Sequence, residues 1–288
     1  MDTSNQEGSN RAARAPGRKS WDSDTVVSTA AHSQSNDDFH ARHEAGMTEH
    51  RLQLQTLLPP ALREKPWVST LSLRQHDLPP RTTLYRMGAV PGRIYFVAKG
   101  WIACAVPLGP RARPVSALRI RGDIIGLATL DGREAVEEIE TVTGAELISV
   151  PTHEYRAQMR ECDALADFTF SEMVRDVSNL QLMNGVIGRM KAPDRLAYFL
   201  YLMLERSRRT FHGRLDALNL PLTQEEIGHV LGLTNVSVNR AFRSLESDGL
   251  IRTGRHAVTF LDEAALTDRL HLSGWESLMN RAVARAKV

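Results

Sequence analysis

Cysteine is scarce in this chain: Cys104 and Cys162 are the two present in 288 residues. Two thiols so far apart build no disulfide framework, which points to a reducing compartment. Nor can they hold an iron–sulfur cluster, which takes several thiolates and usually four. No apolar run approaches the ~20 residues of a membrane span. The N-terminus lacks the apolar stretch of a signal peptide, so a cytoplasmic protein with no membrane partner is expected. Net charge is also slight, since 36 Lys and Arg against 34 Asp and Glu give +2. Any anionic partner must therefore be met by local clustering of cations. The sequence shows no nucleophile–base pair, no metal-spaced His/Cys cluster and no phosphate-cradling glycine loop. It therefore reads as a non-enzyme with no catalytic or metal site and no cofactor.

What is present is ordinary for a globular protein, 42% hydrophobic and 24% charged, with length for two domains plus extensions. The most informative stretch is LTQEEIGHVLGLTNVSVNRAFRSLESDGLIRTGRHAVTF, Leu222 to Phe260. It reads as a helix, a tight turn, a second helix and a short hairpin. Ile227 and Leu231 lie four apart on one face of the first helix, and Gly228 shares that side, where a side chain would block close approach of the second. Gly232 stands where a helix stops on a left-handed residue. Thr234 or Asn235 caps the second helix, whose buried face is Val238, Ala241, Phe242 and Leu245. Its other face shows Val236, Ser237, Asn239, Arg240 and Arg243. Short polar groups with arginines suit the major groove of DNA. Arg252, Arg255 and His256 flank Gly254 in a hairpin placed to touch backbone phosphate. Thr223, at the start of the first helix, and Ser237 are candidate phosphate contacts; Gln224 reads either as another contact or as a cap.

Leu222 to Phe260 resembles the winged helix-turn-helix of the Crp/Fnr superfamily, and LGLTNVSVNR, Leu231 to Arg240, is similar to versions common there. The fold class implied is α+β: an antiparallel β-roll sensor domain, a long dimerisation helix and a C-terminal winged helix-turn-helix domain. The expected boundaries are a disordered tail at 1–46, a cyclic-nucleotide-binding-like β-roll at 47–160 and a dimerisation helix at 161–190. A DNA-binding domain at 191–262 and a helical extension at 263–288 complete the chain.

Each segment has its own physical reading. The tail is too poor in apolar residues to offset its ordering entropy; its Arg11, Arg14, Arg18 and Lys19 would otherwise make a basic arm. Thr48 to Leu58 reads as a helix capped by Thr48, with Leu52, Leu54, Leu57 and Leu58 inward, ended by Pro59 and Pro60. Strands are expected at Thr82–Arg86, Ile94–Ala98, Trp101–Val106, Val115–Arg121, Glu138–Val142 and Glu146–Val150. Frequent turn signals between them favour a small antiparallel roll. RIYFVAKGWIACAV is similar to the central hairpin of the family's sensor, and RGDIIGL to the segment before its ligand-binding stretch. Cyclic-AMP binders follow that Gly with Glu, then Arg-Ser for the phosphate. Here Leu127 takes the Glu position and Ala135 and Val136 take the Arg-Ser positions, with Arg133 displaced and Glu134, Glu137, Glu138 and Glu140 around them. Carboxylates repel a phosphate, so cyclic AMP is not the expected effector. His76, in a loop, is a weak haem candidate, Cys104 reads as a small core residue, and the effector site stays unknown.

Ala166, Phe170, Met173, Val177, Leu180, Asn184 and Ile187 recur at spacings of four and three. That is a heptad seam, with Phe170, Val177 and Asn184 at a positions and Met173, Leu180 and Ile187 at d. These six are the expected dimer interface; burial within one chain is the competing reading. Leu165, Phe168 and Met183 lie off the seam, free to pack on the roll. Ala192-Pro193-Asp194 reads as a hinge, with Pro193 in the first turn of a helix burying Leu196, Phe199, Leu200 and Met203. That helix ends in Arg206, Arg208 and Arg209, suited to its dipole and to a phosphate. A parallel homodimer would set two helices into successive major grooves of double-stranded DNA, about 34 Å apart. The site would be a near-palindrome read by Asn235, Val236, Asn239 and Arg240. The resemblance also implies RNA polymerase as a partner. The alternative reading is a ligand-binding signalling module whose C-terminal helices make protein contacts.

Overall fold

A computed structural model of the chain describes residues 48–109, 114–210 and 215–271. The expected N-terminal tail, and Trp275 and Leu278 of the extension, lie outside the described residues. Helix α1 (48–57) is followed by two single turns, α2 (Pro60–Arg63) and α3 (Trp67–Thr70). Leu54 and Leu58 are fully buried, four residues apart on one face. Leu52, expected inward, is exposed, because two residues from Leu54 it falls on the opposite side of the helix. Pro60 ends α1 but opens α2, where a missing N–H costs nothing.

Among the described residues eight strands form the roll: β1 (Arg74–Leu78), β2 (Thr83–Tyr85), β3 (Arg93–Lys99), β4 (Ile102–Ala105), β5 (Val115–Arg119), β6 (Ile124–Ile125), β7 (Glu138–Thr141) and β8 (Ala145–Pro151). They make two antiparallel sheets in the orders β1-β8-β3-β6 and β2-β7-β4-β5. β3 and β8 are apolar on both faces for a reason visible in the packing. Tyr95, Val97 and Leu147 face Ile102, Cys104 and Ile139 between the sheets. Ile94, Phe96, Ile148 and Val150 face Leu54, Leu58, Trp67, Tyr155 and Leu165 on the helical side. Cys104 is fully buried, and burial pushes its thiol up to about 12.

Two elements depart from the sequence reading. RQHDL has no apolar alternation, yet it forms β1 because β8 offers it a ladder from Arg74–Ser149 to Leu78–Ala145. His76 is therefore a strand residue, not a loop residue. Its Nε2 lies 2.7 Å from Ser149 Oγ. Burial, then the charges of Arg93 and Arg74, hold its pKa below the usual histidine range. Helix α4 (Thr152–Glu161) was also unanticipated. It packs Tyr155 inward, whose hydroxyl meets Thr169 Oγ1 at 2.8 Å.

Long helix α5 (Asp163–Arg189) ends at Met190 and, after Lys191, the chain enters α6 (Ala192–Thr210). The break thus lies just before the expected hinge residues Ala192-Pro193-Asp194, which form the first turn of α6. Then follow β9 (Ala217–Asn219), α7 (Gln224–Leu231), α8 (Asn235–Ser247), β10 (Ile251–Gly254), β11 (Ala257–Phe260) and α9 (Glu263–Arg269). The third wing strand, β9, pairs with β11. One apolar cluster joins Trp101, Leu118 and Ile120 of the roll to Leu196, Phe199, Leu200 and Met203 of α6 and to Ile227, Leu231, Val238, Phe242 and Leu245. Of the off-seam residues, Leu165 and Phe168 pack with the helical side of the roll, whereas Met183 packs on this second cluster.

Of the three arginines ending α6, Arg209 is exposed, whereas Arg206 and Arg208 are engaged within the protein. Arg206 is buried, donating to Leu118 O at 2.8 Å and to the Asp123 carboxylate. Arg208 pairs with Glu205 and, at 2.6 Å, with Glu263 of α9. Burial works against ionised Asp123, but Arg206, Arg119, Arg175 and the Ile120 N–H outweigh it and hold its pKa below the usual value. A depressed carboxyl contributes stability at neutral pH that is lost as pH falls through the carboxylate range.

Two outcomes follow. Asp123→Asn strands a buried guanidinium and costs about 3–5 kcal/mol in denaturant unfolding at pH 7, with the deficit shrinking toward pH 3. Gly228→Ala costs roughly 1–3 kcal/mol despite alanine's better helix propensity. The reason is that a Cβ there would sit 2.6 Å from the Leu233 carbonyl oxygen.

Candidate nucleic-acid interface

The helix-turn-helix is built by local rules. Thr223 caps α7 by accepting from Glu226 N, and Glu226 accepts from Thr223 N at 2.7 Å, a reciprocal capping box. Gly232 ends α7 with φ 63°. Of the two cap candidates for α8, Thr234 is the one used: its Oγ1 accepts from Ser237 N at 3.2 Å. Gly228 lets α7 close onto the carbonyl of Leu233 in the turn, and Val238 stands just beyond. Val238, Ala241, Phe242 and Leu245 are all buried, which fixes the opposite face of α8 outward.

That outer face gathers most of the expected residues. Asn235, Val236, Asn239, Arg240 and Arg243, with Gln224 of α7, line a shallow depression of about 370 Å³. Val236 is 60% exposed, an uncovered aliphatic among polar neighbours. Asn239 Nδ2 donates to Gln224 Oε1 at 3.4 Å across the two helices. Ser237 is half-buried, its hydroxyl 2.9 Å from Thr234 Oγ1, so it serves the cap first. Thr223 is exposed at the α7 N-terminus.

Beside this lies a second depression of about 300 Å³ between α7, α8 and the wing. Its wing residues include Thr253, Gly254 and His256, while Arg252 and Arg255 stand exposed elsewhere on the hairpin. His256 takes a left-handed φ of 59° at the second position of the two-residue turn between β10 and β11, the pattern of a type II turn. Sequence reasoning missed Glu246, which fastens the wing to α8. Its carboxylate accepts from Thr253 Oγ1 at 2.5 Å and Thr253 N at 2.9 Å. These two bonds hold its pKa below the usual range. No local pattern marks Glu246, since its partner lies on the far side of a turn.

α9 is clamped to the same domain. Arg269 reaches Asp194 at the start of α6 (2.7 Å) and Asp248 at the end of α8 (2.6 Å). Arg195 donates to Met190 O at 2.8 Å and Leu231 O at 3.3 Å, tying the ends of α5 and α7 together. Ile187 is half-buried, its Cγ2 3.8 Å from where a Cβ on Gly232 would lie. On α5, Phe170 (69%), Met173, Val177 and Leu180 are exposed in one chain, as are Asn184 and the unanticipated Val174.

In the roll, Ala135 is buried and bonded through its backbone to Gly88 and Ala89, and Val136 is exposed. Arg133 points to solvent, paired with Asp131 at 2.6 Å. Burial pushes the Glu137 carboxyl up. Among the described residues no group of three or more His, Cys, Asp or Glu side chains could hold a metal. No described helix is long and apolar enough to cross a membrane.

Residues 194–269 match the family model described as a Crp-like helix-turn-helix domain. The transcriptional regulatory protein btr of Bordetella pertussis is 24% identical over 180 residues, spanning 62% of this chain and 74% of that protein. The nitrogen fixation regulation protein FixK of Bradyrhizobium diazoefficiens is 27% identical over 188 residues, 63% of this chain and 76% of its own. The structure of FixK2 from Bradyrhizobium japonicum superimposes with a TM-score of 0.62 at 20% identity, covering 69% of this chain and 97% of that one. Residues 194–269 are thus a Crp-like helix-turn-helix domain, set behind a β-roll and a long helix in a fold shared with the FixK2 structure.

Proposed function

We propose that this protein is a sequence-specific DNA-binding transcription regulator that acts as a homodimer on a near-palindromic duplex site. The observation that carries this reading is the outer face of α8. Its buried side is consumed by the domain core, and the residues left outward, Asn235, Val236, Asn239, Arg240 and Arg243, are those a major groove can use. Arg240 contacts guanine or phosphate, Val236 presses on a thymine methyl, and Asn235 and Asn239 read adenine or hold phosphate. Thr223, Ser237, Arg252 and Arg255 meet the backbone. RNA polymerase is the further partner that the resemblance to Crp/Fnr regulators implies.

Dimerisation rests on α5. Phe170, Met173, Val174, Val177 and Leu180 form an apolar stripe along one helix face that is left exposed among the described residues. Such a stripe at heptad spacing is buried by a second copy. Asn184 continues it at an a position, which fixes a two-stranded register. The sensor's effector is not cyclic AMP on this reading: Leu127 and Ala135 are core residues, Val136 bears no charge, and Arg133 is engaged with Asp131.

Arg240→Ala should cost roughly 1–3 kcal/mol of specific binding and relax one base preference. A fluorescence titration against cognate and single-substituted duplexes checks this, and unchanged discrimination removes the assigned role. Asn184→Asp places two like charges in the seam and should shift the monomer–dimer balance toward monomer at neutral pH. Sedimentation equilibrium reads the shift directly, and an unaltered balance argues against the seam.

A further inference from the structure

We infer that Gln224 is a positioning residue for base readout: its side-chain amide orients Asn239 so that α8 presents a fixed donor–acceptor edge for adenine. This rests on the groove-entering role of α8 proposed above.

Gln224 is the first residue of α7, and the cap of that helix is already complete without it. Thr223 and Glu226 satisfy each other's backbone groups in the capping box. The Gln224 side chain instead crosses to α8, where Oε1 accepts from Asn239 Nδ2 at 3.4 Å. It is half-buried, and with Asn239 and Arg243 it lines both depressions beside α8.

The consequence is a matter of counting donors. An asparagine amide has two N–H donors and one carbonyl oxygen. Unheld, it rotates and can offer either end to a base. With one N–H committed to Gln224 Oε1, the other N–H and Oδ1 remain as one donor and one acceptor side by side. Adenine in the major groove presents N7 as acceptor and N6–H₂ as donor, the complement of that pair. Guanine presents two acceptors and is refused. The bond across the helices thus turns a rotatable amide into an adenine reader. The Gln224 nitrogen keeps its own N–H donors, and beside Thr223 at the α7 N-terminus they lie where the DNA backbone passes.

Two variants of nearly equal length separate this from simple packing. Gln224→Met keeps the bulk and removes the acceptor. Gln224→Glu keeps an acceptor for Asn239 and removes the donors. Full-length wild type, both variants, Asn239→Ala and the Gln224→Met/Asn239→Ala double variant are taken through selection from a randomised duplex pool, then titrated against the selected site. Asn239→Ala should lose about tenfold discrimination at one base pair. Gln224→Met should relax that same base pair, and the double variant should lose no more than either single one. Gln224→Glu should keep the preference there while binding all sequences more weakly, since a carboxylate repels phosphate. If Asn239→Ala relaxes a base pair and Gln224→Met leaves it untouched, the inference is overturned while the role of α8 stands. Equal relaxation by Gln224→Met and Gln224→Glu also overturns it. Should wild type select no sequence, or Asn239→Ala change no preference, the reading of α8 at that residue falls as well.

Discussion

The buried pair of Asp123 and Arg206 decides where the C-terminal half can sit. Asp123 occupies the turn between β5 and β6, and Arg206 the last turns of α6. Neither charge has water to fall back on, so each needs the other. Arg206 also donates to the Leu118 carbonyl, which adds a directional bond to the pairing of charges. Around it, Trp101, Leu118 and Ile120 of the roll share one apolar cluster with α6 and the helix-turn-helix. Apolar packing alone tolerates sliding, whereas a buried ion pair does not. α6 is thus pinned to the roll, and α7, α8 and the wing are built on α6.

A second set of contacts carries position from α5 to α8. Arg195 joins the carbonyls that end α5 and α7, Ile187 abuts the turn at Gly232, and Arg269 links the start of α6 to the end of α8. In a dimer formed along α5, the separation of two α8 helices is set by these few contacts. A change in the sensor that shifts α5 against α6 would be felt as a change in that separation. That is a physical route for regulation that needs no contact between effector and DNA.

Much of the helix-turn-helix was legible in the sequence because it follows from short-range rules. Gly232 with positive φ, the capping threonines Thr223 and Thr234, and the spacing of Val238, Phe242 and Leu245 all act within one or two turns of a helix. The exposed stripe on α5 was legible for the same reason. What escaped depends on distant partners. β1 is a strand because β8 pairs with it, some 70 residues later. Arg206 looked like a surface arginine until the Asp123 turn arrived beside it. Leu52 points outward because its angle on the helix, not its hydrophobicity, sets its side. Glu246 and Gln224 became meaningful only once α8 lay beside the wing and α7.

The central claim is that two copies of this chain present α8 to successive major grooves on one face of a duplex. Hydroxyl-radical footprinting of the full-length protein on a duplex it selects from a random pool tests this most directly. The account predicts two protected patches related by a dyad, their centres about one helical turn apart on the same face. A single unsymmetrical patch, or protection with no sequence enriched in the pool, would contradict it.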